Sequence, residues 1–166
     1  MRVAGIIPLV FVLIVFNLFS ISQTATPFDL TAEEIARRVG TLINPKGSVH
    51  IQGIKVDKGD GQFNVEISVN LGNCWGKKEY AKTYARDALA ALYTSELPIS
   101  HLLLNVHDGD QILLTVALGR NQAETIDWNG RESLNGFYER MKSRTNYQGN
   151  PADYCWLMEM KDGLSR

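Results

Sequence analysis

The two cysteines, Cys74 and Cys155, sit in "NCWG" (73–76) and "YCWL" (154–157), each directly followed by a tryptophan. Three chemistries suit such a pair: a disulfide, two buried free thiols, or a reactive thiol. Two cysteines cannot close a zinc site alone, and no CxxC or CxxH spacing supports one. A disulfide would close a loop of about 80 residues, which the chain-entropy model values at roughly 4–5 kcal/mol as an upper figure. Trp75 and Trp156 would then pack over that junction. A reactive Cys74 would need a base, for which His101 is the candidate, and an electropositive setting, to which Lys77 and Lys78 would contribute.

The other chemistry-bearing residues are sparse. The histidines are His50, His101 and His107. His101 and His107 lie on one face of a predicted strand, roughly 20 Å apart at the usual rise, too far to chelate one ion. "HDGD" (107–110) groups His107, Asp108 and Asp110 at a hairpin tip, where Asp and Gly are what the turn demands. "DKGDG" (57–61) fails as a calcium loop: counted from Asp57, position three is Gly59 and position twelve is Ser68. There is no GxSxG, HExxH, P-loop or dinucleotide glycine pattern. No metal or other cofactor and no catalytic constellation is therefore expected.

Bulk properties narrow the partners. The net charge is −1, with 45% hydrophobic and 21% charged residues, ordinary values for one globular domain. No basic field exists to hold a nucleic acid. The local cluster of Lys77, Lys78, Lys82 and Arg86 reads as the solvated face of a helix. The amino terminus carries the clearest signal: after Arg2, no charge appears until Asp29. Val3–Phe16 suits the apolar core of a cleaved signal, with Ser20 and Ser22 near a cleavage site. Residues 3–21 equally suit a membrane anchor. Either way Arg2 stays on the cytoplasmic side and residues 26–166 are delivered outside, secreted or membrane-anchored. In an oxidising compartment an even cysteine count favours the Cys74–Cys155 disulfide.

The elements that would position these residues follow from periodicity. Thr31 and Glu34 form a capping box, with Leu30 and Ile35 as the hydrophobic staple. Ile35, Val39 and Leu42 continue as one helical face, ended by Asn44, Pro45 and Gly47. A hairpin follows: "SVHIQGIKV", with a bulge at Gly53, then "QFNVEISVNL", a strand with one buried and one wet face. Residues 77–96 form an alanine-rich helix suited to lie close to a sheet. Its Tyr80 and Tyr84 read as packing rather than a ligand stack. A second hairpin, "HLLLNVH" and "QILLTVAL", turns at "DGD". Its Leu103 and Leu113 lie on the outer face, so something covers part of that side, or the two mark a partner surface. A third helical region starts at Asn121 with Glu124 as a capping pair and continues through Leu134, Phe137, Tyr138 and Met141. "YCWLMEM" is a fifth, edge strand.

The expected fold is a two-layer α+β sandwich: a mainly antiparallel sheet of four or five strands with helices on one face. The export or anchor segment is residues 1–25, and residues 26–166 form one extracytoplasmic domain. The function these features favour is a non-enzymatic binding or envelope-assembly module with a protein or envelope partner. The alternative is an exported hydrolase or thiol enzyme using Cys74 with His101, or the His107–Asp110 tip. A third reading is an anchored assembly subunit whose apolar segment packs against partner helices.

Overall fold

The computed structural model describes residues 30–59, 61–72, 77–129 and 133–159. The signal or anchor expected in residues 1–25 lies outside them, as does Cys74. No helix among the described residues is long and apolar enough to cross a membrane. The fold is α+β. The chain runs α1 (Ala32–Ile43), β1 (His50–Lys58), β2 (Phe63–Asn70), α2 (Lys77–Tyr93), β3 (Ile99–Asp108), β4 (Gln111–Gly119), α3 (Arg120–Ala123), α4 (Leu134–Ser143) and β5 (Cys155–Glu159), with one 3-10 turn at Pro151–Asp153.

The five strands form one sheet in the order β1-β2-β3-β4-β5. β1–β2, β3–β4 and β4–β5 are antiparallel. β2 and β3 pair in parallel, Val65 opposite Leu102 and Val69 opposite Val106. The sheet is therefore mixed. The cause is α2, which carries the chain from the end of β2 back to the start of β3, as a parallel neighbour requires. The two hairpins thus meet side by side in one direction.

Local chemistry accounts for most elements. The Thr31 hydroxyl accepts from the Glu34 N–H at 3.2 Å and caps α1. The reciprocal half of the expected capping box gives way to charge: the Glu34 carboxylate binds Arg37 and Arg38 instead. Those guanidinium groups pull its pKa down to about 2. The β1–β2 register shifts between Ile51 and Gly53, the expected bulge. Asn121 does not cap α3. Gly119 occupies that position, and the Asn121 amide donates to Asp153 instead. α4 starts on Ser133, whose hydroxyl accepts from the Gly136 N–H at 3.1 Å.

The core lies between one sheet face and the helices. Phe63, Val65, Ile67 and Val69 of β2 are buried, as are Leu102, Leu104 and Val106 of β3. They share one cluster with Ile35 and Val39 of α1, Leu89 of α2, and Phe137 and Met141 of α4. Ala81, Ala85 and Ala88 of α2 are buried too. Their short side chains let α2 approach β3 and β4 closely, and replacing one by a large residue would overpack the layer.

Candidate functional site

Strand alternation assigns Lys55, Glu66, Ser68, Leu103, Asn105, Thr115, Ala117, Trp156 and Met158 to the sheet face away from the core. Register builds two rows on it: Leu103–Ala117–Trp156 and Asn105–Thr115–Met158. Thr115 donates to Asn105 at 2.9 Å, so the second row is tied by side chains. Near the β4–β5 edge the face becomes aromatic. Tyr147 lies 4.6 Å from Tyr154 and 5.4 Å from Trp156, ring centre to centre. Tyr147 is 46% exposed and Met158 45%, among the few large apolar side chains open to solvent.

The segment leading into β5 covers part of this face, as the apolar outer positions implied. The Gly119 N–H donates to the Tyr154 carbonyl at 2.7 Å, and Asn146 exchanges two backbone hydrogen bonds with Cys155. Gly119 is obligatory for this approach: a Cβ there would overlap the Ala152 carbonyl. Tyr154 meets the His101 ring edge-on at 5.0 Å.

The residues singled out from sequence are dispersed. Leu103 is half-buried on the outer face. Leu113 is only 6% exposed and packs with the buried hydrophobic cluster, so it offers no open surface. It sits where the β3–β4 register slips, Val106 opposite Leu114 but His107 opposite Ile112. Cys155 is a free thiol, 2% exposed, with its sulfur 3.6 Å from the Met141 carbonyl oxygen. Burial raises its pKa, an inert setting for a nucleophile. Its expected disulfide partner, Cys74, lies outside the described residues. Trp156 does not pack over Cys155. Adjacent strand residues face opposite ways, so Cys155 enters the core while Trp156 joins Tyr147 on the outer face.

The histidines form no site. The buried Nε2 of His101 has no hydrogen-bond partner among the described residues. Burial lowers its pKa. Among the described residues no hydroxyl or thiol is bonded to it as a nucleophile. At the hairpin tip, Asp108 pairs with Lys77, and Asn70 donates to the Gly109 carbonyl at 3.1 Å. The tip is thus a tied turn. Gly109 takes the left-handed conformation there, φ 59°. No group of three metal-ligating side chains occurs among the described residues. The basic cluster is also engaged: Lys82 bridges to Glu159 at 3.3 Å and lies over the Tyr138 ring.

Comparison with protein-family models, with curated proteins and with solved structures found no match. Function must therefore be argued from the side chains.

Proposed function

We propose that this chain is a non-enzymatic extracytoplasmic module that binds a protein or another component of the cell envelope. Residues 1–25 deliver it, either as a cleaved signal or as an anchor spanning residues 3–21. Its domain is a two-layer sandwich that keeps one sheet face for partners. The observation that carries this reading is the outer face itself. Half-buried Leu103 and Trp156 flank the fully buried Ala117, beside exposed Met158 and Tyr147. Apolar and aromatic side chains rimmed by Glu66, Ser68 and Asn105 have the composition of a protein-contact patch. The thiol-enzyme alternative rests on Cys74, which lies outside the described residues, and on His101, whose buried Nε2 has no hydrogen-bond partner among them.

A photo-crosslinking side chain placed at Leu103, in the full chain within cells that export it, tests the face. Thr41 on the exposed side of α1 serves as the control position. A discrete adduct at Leu103 and none at Thr41 is expected. No adduct at either position, or equal labelling at both, would sink the reading. A phosphatase reporter fused after Arg166, active only outside the cytoplasm, is expected to be active. A silent reporter on a stable fusion would remove the extracytoplasmic part.

A further inference from the structure

A polar cleft opens where the segment leading into β5 meets the sheet. The 3-10 turn at Pro151–Asp153 docks beside β4, where the absent Cβ of Gly119 leaves room for the Ala152 carbonyl. Between that turn and the β1–β2 connection lies a cleft of about 330 Å³. Its walls include Gln62, Asn64 of β2, Ser100 of β3, and Asn150, Pro151 and Ala152 of the docked segment. The volume falls at the lower end of small-ligand sites, roughly 300–1,000 Å³.

A local break in the sheet places two of these side chains. The β2–β3 register shifts so that Phe63 stands opposite Ile99 but Asn64 opposite His101. Ser100 is thus the extra residue of a bulge, and a bulge re-aims a side chain. Ser100 and His101 both stay outside the core, between buried Ile99 and Leu102. Elsewhere on the outer face polar side chains answer one another: Thr115 donates to Asn105, and Lys55 pairs with Glu66. In the cleft they do not. The side chains of Gln62, Asn64 and Ser100 have no hydrogen-bond or ion-pair partner among the described residues. The Asn150 Oδ1 accepts from the Ala152 N–H at 3.0 Å and so caps the turn.

We propose that this cleft binds a neutral saccharide. The amides of Gln62 and Asn64 and the hydroxyl of Ser100 each donate and accept, as sugar hydroxyls do. Pro151 and Ala152 give apolar surface to the C–H groups of a sugar ring. No charged side chain is among the described lining residues, so an ion would lose its water without a counter-charge. A purely apolar ligand would cover Asn64 and Ser100 and leave them unpaired. A peptide strand needs a free backbone edge, and β2 and β3 are flanked by strands on both sides. No aromatic ring is among the described lining residues to stack a planar base. Leu103, Trp156 and Met158 take no part, so the site stands whether or not their patch contacts a protein. Neutral sugars occur both free and in glycan chains, and the experiment separates the two.

The full chain, held in dodecylphosphocholine because that detergent has no sugar headgroup, is titrated calorimetrically. The probes are methyl β-glucopyranoside, cellotetraose and chitotetraose, with butylamine and butyrate as charged controls. Saturable one-site binding of at least one sugar is expected, at least tenfold tighter than either control. A tetraose that binds at least tenfold tighter than the methyl glucoside assigns the cleft to a glycan chain. Equal affinity for the two assigns it to a free sugar. Asn64→Leu, a half-buried strand position given a side chain of similar size, should weaken the sugar at least tenfold. Gln62→Ala, at an exposed position that the core does not need, should weaken it several-fold. Thr41→Ala on α1 should leave it unchanged. No saturable binding of any of the three sugars would overturn the proposal. So would a charged control that binds as tightly, or a Gln62→Ala and a folded Asn64→Leu protein that both bind like wild type.

Discussion

Arg120 and His101 illustrate how single polar residues are handled at the edge of this core. The Arg120 guanidinium donates to the carbonyls of Ile99, Tyr93 and Leu97, and stacks on the Tyr93 ring. One side chain thereby answers three carbonyls where α2, β3 and α3 converge, with charge-assisted bonds. His101 is the opposite case, packed against Tyr154 with no polar partner. Its folded-state pKa lies below the ordinary 6.5 because burial disfavours the imidazolium. The unfolded chain therefore takes up a proton first as pH falls through about 6.5, and stability is lost from there down to the folded pKa. Urea denaturation at pH 7.5 and pH 5.5 should show that loss in the wild type, and His101→Gln should reduce it. An unchanged pH dependence in the variant would mean His101 is not the responsible group. Neither residue announced its role in sequence, because a side chain's hydrogen-bond partners are set by elements far away in the chain.

Among the elements, the segment from Asn146 to Tyr154 depends most on one position. It docks on β4 through the Gly119 N–H, and the absent Cβ of Gly119 leaves room for the Ala152 carbonyl. Gly119→Ala should either displace the segment or cost about 1–3 kcal/mol in overpacking. Thermal unfolding together with tyrosine and tryptophan fluorescence would register it, since Tyr147, Tyr154 and Trp156 form one aromatic group beside that segment. An unshifted melting temperature with unchanged fluorescence would contradict the close approach. Elements with their own capping or alternation, such as α1 and β2, were legible from residues 31–70. The α3 start was not. Asn121 and Glu124 have the right spacing for a cap, but Asp153, thirty-two positions on, claims the Asn121 amide.

At the scale of the molecule, the sheet order separates the residues flanking the "NCWG" stretch from Cys155. Leu71, just before the "NCWG" stretch, donates to the His107 carbonyl, and Lys77, just after it, pairs with Asp108. Cys155 stands opposite Leu118, which pairs with Leu102 at the other end of β3. Five residues of strand and three strand spacings separate these levels, together about 20 Å. A disulfide needs Cα atoms within about 7 Å, and Cys74 lies outside the described residues. Cys155 is a free thiol, so a maleimide count on protein unfolded without reductant should find it labelled. No added mass would mean a Cys74–Cys155 bond and would contradict the free Cys155 thiol.

The sequence alone determined the α+β class, the five strands, the bulge at Gly53 and the start of α1. Each follows from a period of two or 3.6 residues, or from a cap three residues away, and such signals are local. Only the tertiary structure decided that β2 and β3 run parallel, that Leu113 is buried beside a register slip, and that Cys155 and Trp156 part to opposite faces. It also left the Tyr84 hydroxyl buried with no hydrogen-bond partner among the described residues. Those outcomes depend on which surfaces meet, and pairing across dozens of residues leaves no periodic trace in the chain.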